Sequence, residues 1–462
     1  MTKLPNTVCP LCWNPTSEAG LKQVDWLDPR VLSRIADRHP SWRREDGACP
    51  ACVQEALLET LHAYGDAALH AGIQAVWPLD AEAAFGALPT PLRMHADPHY
   101  HGRGVTLALV DSAFYPHPDL TEAGNRIRAW ADATREPVSA LTFGRQQKPR
   151  WPGWNVGHPA QWHGLMTSAV AAGNGFLSHG LYCGLASKAD VVLVQTRDED
   201  GRITNATIAR ALEWLAARAE EFELHIVSLS VAGDPVESLA GNAVDEAVRR
   251  LVESNITVVA AAGNNGERHL LPPATAPGAL TIGGIDDKNL FDHSEVELWH
   301  SNYGESVAGT LKPELVAPSI WLVAPLLPGT EQAAEALDLF ARRSRGDAAG
   351  NPEIAPQIAN EKLVTPYYKL VEGTSFAAPL VASTIACMLE ANPGLTPAGI
   401  RRLLLAAAHP VAGAPVERQG AGALDSGRAV ALALRARSER AHDSSEPARR
   451  PSTRKSRRNG RG

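Results

Sequence analysis

Between roughly residues 96 and 435 the chain alternates short, almost wholly apolar runs with longer stretches in which apolar residues recur every three or four positions. Residues 105–110, 191–194, 226–231 and 257–262 are of the first kind, and 279–285 and 315–317 are later members. A strand covered on both faces has no side to leave polar, so such runs predict a parallel sheet between helical layers. The intervening stretches carry the matching stripes. Ile208, Leu212 and Leu215 fall on one helical face, as do Val244, Val248 and Leu251. The alternation predicts an α/β fold: a doubly wound, mostly parallel sheet with helices on both faces. Such sheets carry their sites at the carboxyl ends of strands.

The rest of the chain reads differently. Residues 1–65 hold two Cys-x-x-Cys knuckles and short helical patterns, in one of which Asp28 caps a helix with Pro29 at its first position. Val31, Leu32 and Ile35 would form its apolar face. Residues 66–95 form an Ala- and Pro-punctuated linker, 96–435 the main domain, and 436–462 a basic tail with the composition of a disordered segment.

Composition adds limits. At 44% hydrophobic and 21% charged residues, most of the chain can build an ordinary core. The net charge is −7, yet from Ala441 onward seven Lys or Arg face two acids, so the body is more acidic than the whole. An acidic body does not advertise nucleic-acid binding. Residues 1–13 contain no signal-peptide-like apolar run, and no stretch reads as a membrane span. Six cysteines, four of them near the start, argue against a disulfide framework. The expectation is a soluble, cytoplasmic protein.

Three motifs stand where the fold places chemistry. The run 105–110 leads into Asp111, HGLMTSAVAAGNG puts His163 before a small-residue helix, and GTSFAAPLVAS puts Ser375 at a loop-to-helix junction. A serine hydroxyl is a weak nucleophile until a base takes its proton, and the base needs a third group to fix its tautomer. The oxyanion that forms needs a donor already aimed at it, and Asn264, after another apolar run, offers a side-chain amide. These segments, with SNYG at 301–304 and GTLKPELVAPS at 309–319, resemble the subtilase family of serine peptidases in its chain order Asp, His, Ser.

The resemblance implies a serine endopeptidase that acts on proteins or peptides through Asp111, His163 and Ser375. It implies an oxyanion hole of Asn264 and the Ser375 N–H, and a substrate-binding strand of Ser230, Val231 and Ala232. No cofactor is needed for that catalysis. Three positions depart from the family pattern: Ala113 and Ala232 stand where glycine is usual, and Leu165-Met166 where Thr-His is usual. None removes a reacting group, but the Ala232 methyl alters the wall of the primary specificity pocket. The alternative is a pseudopeptidase or adaptor that binds peptides or partners without turnover.

Cys9, Cys12, Cys49 and Cys52 form a paired knuckle pattern with 36 residues between the pairs. Two such pairs suit one structural Zn²⁺, and a redox dithiol or unligated thiols are the other readings. Such a zinc-ribbon-like module has a regulatory or targeting role, with a partner to match, as its functional reading. Cys183 and Cys387 read as buried core thiols. Residues 330–362 form an insertion with a stripe of Ala333, Leu337 and Phe340, a surface excursion or a lid. Asp198, Glu199 and Asp200 follow the run 191–194 and would border the substrate groove, favouring basic residues upstream of the cut.

Overall fold

Alternate residues of each central strand point to opposite faces, and both faces are covered. The computed structural model describes residues 7–14, 16, 21, 24, 27–64, 87–149, 158–235, 242–306, 308–345 and 352–445, with side chains to Arg440. Its main sheet uses β1 (Thr106–Asp111), β2 (Ile127–Asp132), β3 (Ser139–Thr142), β4 (Asp190–Gln195) and β5 (Leu224–Leu229). It continues with β6 (Thr257–Ala261), β7 (Leu280–Asp286), β8 (Glu297–Leu298) and, after the short β9 (Gly304–Glu305) and β10 (Leu311–Lys312), β11 (Leu315–Pro318). The order is β11-β7-β6-β5-β1-β4-β2-β3, with β8 beside β7. Only β3 and β8 run antiparallel to their neighbours.

The period-two alternation sorts the side chains into two cores. Leu107, Leu109, Leu193, Ile226 and Val259 join one core, Ala108, Val110, Val194, Val227 and Val258 the other. Helices α1 (Pro29–Arg38) and α2 (Pro50–Tyr64) belong to the N-terminal segment, and α3 (Gln161–Ala172) packs on the first face. On the second face lie α4 (Asn205–Ala217) and α5 (Ala243–Glu253), through the expected Ile208, Leu212, Leu215, Val244, Val248 and Leu251. Beyond them come α6 (Glu331–Ser344), α7 (Ile354–Asn360), α8 (Thr374–Ala391), α9 (Pro397–Ala407) and α10 (Ser426–Ser445). A side sheet joins β12 (Leu322–Pro325), β14 (Tyr368–Val371) and β13 (Leu363–Thr365).

All six apolar runs are strands of the main sheet, and the doubly wound, mostly parallel architecture stands. Of the main sheet, the sequence reading missed β2, β3 and the two-residue β8. β2 carries Arg128 and Asp132 in its six residues, and β3 is a half-exposed edge strand. Both therefore lack a continuous apolar run.

Helix α8 bears on the membrane expectation without overturning it. It has 18 residues and a mean hydropathy of 1.4, enough by length and composition to cross a bilayer, but 89% of it is buried inside the protein. It is the central core helix, and its apolar character answers the sheet. The stripe predicted for the insertion is displaced. Ala336 and Leu339 are the buried face of α6, while Leu337 is 45% exposed. Helix α10 runs to Ser445, past the position where the tail was expected to begin.

Residues 87–95 are fixed to the main domain. Arg93 is fully buried, donates from Nε to Asp287 Oδ2 at 2.6 Å and from Nη1 to the Trp321 carbonyl at 2.6 Å. The N-terminal helices share one core with Leu88, Leu92 and Phe291. Asp28 caps α1 as its sequence predicts, accepting from Arg30 N at 2.8 Å.

Candidate active site

Asp111 ends β1 at the switch of strand order, between β4 and β5. Its carboxylate is buried and held by donors on both oxygens. Ser112 N at 2.6 Å and His163 Nδ1 at 2.6 Å share Oδ1, and Thr167 Oγ1 reaches Oδ2 at 2.7 Å. His163 is the third residue of α3, and Thr167 lies one turn on, on the same face. Gly164 is what lets the helix come so near. A Cβ there would lie 2.1 Å from the Ala113 carbonyl oxygen.

Burial pulls the His163 imidazole toward its neutral form, but the Asp111 charge and hydrogen bond outweigh it, and the net shift is upward. With Nδ1–H donating to a carboxylate, Nε2 carries the free lone pair. Trp162 meets the ring edge-on at 5.1 Å between centroids, and Phe376 sits tilted at 5.9 Å.

Ser375 is the second residue of α8. Its carbonyl accepts from Ser230 Oγ at 2.8 Å, which ties the segment after β5 to the helix start. Asn264 follows β6, and its Oδ1 accepts from Thr374 N at 3.0 Å and from Thr374 Oγ1 at 2.7 Å. Pinning the oxygen leaves Nδ2 with its protons directed elsewhere, 3.4 Å from where a Cβ on Gly373 would stand. Side chains from β1, α3, β5, β6 and α8 thus converge at one end of the sheet. Among the described residues no hydrogen bond joins Ser375 Oγ to His163.

A model of the Subtilase family matches residues 102–423. The chain belongs to the subtilase family. Serine protease AprX of Bacillus subtilis (strain 168) is 27% identical over 311 residues, 66% of this chain and 61% of that protein. The chain therefore spans under two thirds of AprX. Subtilisin BL of Lederbergia lenta is 24% identical over 303 residues, 66% of this chain and 82% of that one. Among solved structures, the prenylagaramide maturation protease PagA is 18% identical with TM-score 0.47, covering 71% of this chain and 93% of its own. A mutant of the protease domain of PatA is 23% identical with TM-score 0.48, at 72% and 96% coverage.

In this subtilase Ala113 and Leu165 are core residues, so two of the three departures from the family pattern are absorbed by packing. Val231 is buried and Ala232 exposed. Sequence reasoning missed Thr167 and Thr374. The first had a signal, since it stands four residues after His163 in a helical stretch. The second was hidden inside Gly-Thr-Ser, where it reads as a cap.

The acidic loop lines a cavity of about 420 Å³ together with Asp132, Arg135 and Arg197. Asp198 Oδ1 accepts from Arg202 N at 2.7 Å, and Glu199 lies 3.9 Å from Arg135. Arg197 and Arg202 flank these acids in sequence, and the fold adds Arg135 beside them.

The four N-terminal cysteines come together. Cys9 and Cys52 sulfurs are 3.9 Å apart, Cys12 and Cys49 3.7 Å, and all four lie within 4.8 Å. These gaps exceed the bonded S–S length of about 2.05 Å. A tetrahedral ion with thiolates at about 2.3 Å sets its sulfurs roughly 3.8 Å apart. The set can hold one metal ion. Hydrogen bonds from Cys49 and Cys52 favour the Cys9 thiolate, while the Cys52 thiol is pushed up by its neighbours. Four sulfurs so close compete for protons, a crowding a cation relieves. Cys387 is a core thiol as expected. Cys183 is only half-buried and lines a cavity shared with Cys12 and Cys52.

Proposed function

We propose that this chain is a serine endopeptidase that hydrolyses peptide bonds by acyl transfer, with Asp111, His163 and Ser375 as its triad. The observation that carries the reading is the short bond from His163 Nδ1 to the buried Asp111 carboxylate, in a member of the subtilase family. That bond leaves Nε2 to take the Ser375 proton as Oγ bonds to the scissile carbonyl carbon. The carbonyl electron pair moves onto oxygen, and the Asn264 amide and the Ser375 N–H receive the charge. The pair then returns, the C–N bond breaks, and His163 gives its proton to the departing amine. Water repeats the sequence on the ester and frees Ser375. Ser230, Val231 and Ala232 hold the acyl half of the substrate by backbone pairing.

The N-terminal residues Cys9, Cys12, Cys49 and Cys52 are read as the ligands of one structural Zn²⁺, supported by sulfur gaps that fit a tetrahedral thiolate site. That ion holds the module folded and takes no part in hydrolysis. A regulatory partner of the module belongs to the same reading. The proposed site of action is cytoplasmic, supported by six cysteines that form no disulfide, a state a reducing compartment preserves.

A second reading, a peptide-binding adaptor without turnover, draws on one observation: Ser375 Oγ and His163 share no hydrogen bond among the described residues. Labelling by a fluorophosphonate decides between them. The peptidase reading expects covalent label on Ser375 that is lost in His163→Ala. Absence of label on folded wild-type protein supports the adaptor.

A further inference from the structure

Beside Trp162 and Phe376, the chain neighbours of His163 and Ser375, lies an open cavity of about 610 Å³. Its floor is apolar, with Met166, Leu370 and Phe376 each at most 5% exposed. Its outer wall is built by the 330–362 insertion, through Thr330 and Gln332 at the start of α6 and residues 360–362 at the end of α7. In lining it shares only Pro159 with the cavity of the acidic loop, so the two flank the start of α3 from different sides. The acyl half of a substrate is assigned above to Ser230–Ala232, none of which lines this space. The amine half, which His163 must protonate as it departs, has this volume beside it.

Of the four charged residues that line it, Glu372 and Lys362 form an ion pair, while Glu361 is held by a neutral amide. Glu361 Oε2 accepts from Gln332 Nε2 at 2.7 Å, and Glu372 lies 3.4 Å from Lys362 Nζ. Lys369, on β14, is half-buried, lines the cavity, and pairs with no carboxylate among the described residues. Burial shifts its pKa downward, opposed by Glu361 and reinforced by Lys362. A half-buried ammonium with no carboxylate in ion-pair contact, only Glu361 at longer range, is incompletely stabilised, and an anion brought by a ligand corrects that.

We propose that this cavity receives the leaving-group side of the substrate and selects a carboxylate, paired by Lys369, within the first few residues after the cut. The proposal rests on the peptidase reading above. A carboxylate there has two sources, the chain terminus of a short leaving peptide or an Asp or Glu side chain. The insertion is then a specificity wall, and the reaction favours cuts that release acidic or short carboxy-terminal peptides.

The test uses the full chain and two peptide series with a constant acyl side. One series ends at successive positions after the cut as free acid or amide, and the other is longer and places Glu or Gln at those positions. Wild type is expected to favour the carboxylate member about five- to tenfold in kcat/KM, as one partly desolvated charge pair allows. Lys369→Met should level the preference and Lys369→Arg restore it, with thermal melting as the check on folding. A bias only in the first series assigns the chain terminus, and only in the second the side chain. Equal rates for acid and amide in both series, or a bias that survives Lys369→Met, overturn the proposal. If no peptide is cleaved, the peptidase reading fails instead. Anisotropy of the same labelled peptides on Ser375→Ala protein then decides the present one: tighter, Lys369-dependent binding of the acids supports it, and equal binding overturns it.

Discussion

Thr167 Oγ1 donates to Asp111 Oδ2 at 2.7 Å, on the carboxylate oxygen opposite the one that holds His163. The carboxylate is thereby fixed in rotation, and His163 with it. Thr167→Val should lower kcat about ten- to a hundredfold with KM unchanged, the worth of one buried hydrogen bond to a charged group. The pH profile separates positioning from mere damage. Only neutral imidazole can take the Ser375 proton, so activity rises with pH through the His163 pKa, which Asp111 holds above the ordinary histidine value. Losing the Thr167 donor leaves more charge facing His163 and should move that midpoint further up. Stability runs the other way: the contribution of protonated His163 is complete below an unfolded pKa of about 6.5 and is lost as pH rises through the higher folded value. An unmoved midpoint in Thr167→Val would remove Thr167 from the positioning role.

Asn264 gives a graded series. Ser375→Ala should cost about 10⁶ in turnover and Asn264→Ala about 10²–10³, sizes borrowed from subtilisin. Thr374→Val should fall well short of Asn264→Ala, about tenfold in kcat, because Thr374 N still holds Asn264 Oδ1 when the hydroxyl is gone. Steady-state kinetics on one peptide covers all three. A Thr374→Val loss as large as that of Asn264→Ala would mean that the hydroxyl acts in some way other than orienting the amide.

What the sequence disclosed and what it hid divide along physical lines. Strands β1 and β4–β7 are legible because burial on both faces forces continuous apolar runs, whereas edge strand β3 carries no such demand. The side chains of the site stand at strand or helix ends, which a motif marks. Their supports do not: Thr167 and Thr374 act through hydrogen bonds that only the folded chain closes. The face of α6 shifted because Leu326, Ile354, Ile358 and Leu363, residues remote in sequence or in other elements, decide which stripe is covered.

Metal analysis of the purified chain should find one Zn²⁺ per chain. Less than about 0.2 per chain after metal-replete expression would count decisively against the thiolate site. Chelation should unfold the N-terminal module and, since the proposed mechanism routes no step through a metal, leave peptide hydrolysis largely intact. The shared core adds a refinement. Leu181 and Phe291 of the main domain pack with Val31, Leu57 and Leu92. Chelation should therefore raise protease sensitivity around Leu181 as well, read by limited proteolysis and mass spectrometry.

Arg93 and Asp287 form an ion pair with both side chains fully buried. Removing one partner strands the other charge, so Arg93→Met should destabilise the chain by about 3–5 kcal/mol. Combining it with Asp287→Leu should recover a large part of that loss, since an apolar pair leaves no buried charge behind. Urea unfolding of the two single variants and the double variant measures this. A double variant as unstable as the sum of the singles would show that packing, and not charge, sets the cost.

The acidic loop sets a smaller effect than its sequence suggests. Asp198, Glu199 and Asp200 run together in the chain, but the cavity that the first two line also holds Arg135 and Arg197. Arg135 is engaged by Asp132 at 3.2 Å, and Arg197 Nε donates to the Gly201 carbonyl at 3.1 Å. Asp132, Asp198 and Glu199 therefore outnumber the two arginines by a single charge, in surroundings open to solvent. Exposed pairs of this kind are worth about 0.2–1 kcal/mol, so the preference for Arg or Lys upstream of the cut should be roughly two- to fivefold. It should shrink further as salt rises, because screening acts on such open sites. A peptide library profiled with wild type and with Asp198→Asn, Glu199→Gln and Asp200→Asn combined reads the effect directly. Identical profiles at every upstream position would show that the loop carries its charge for solvation alone.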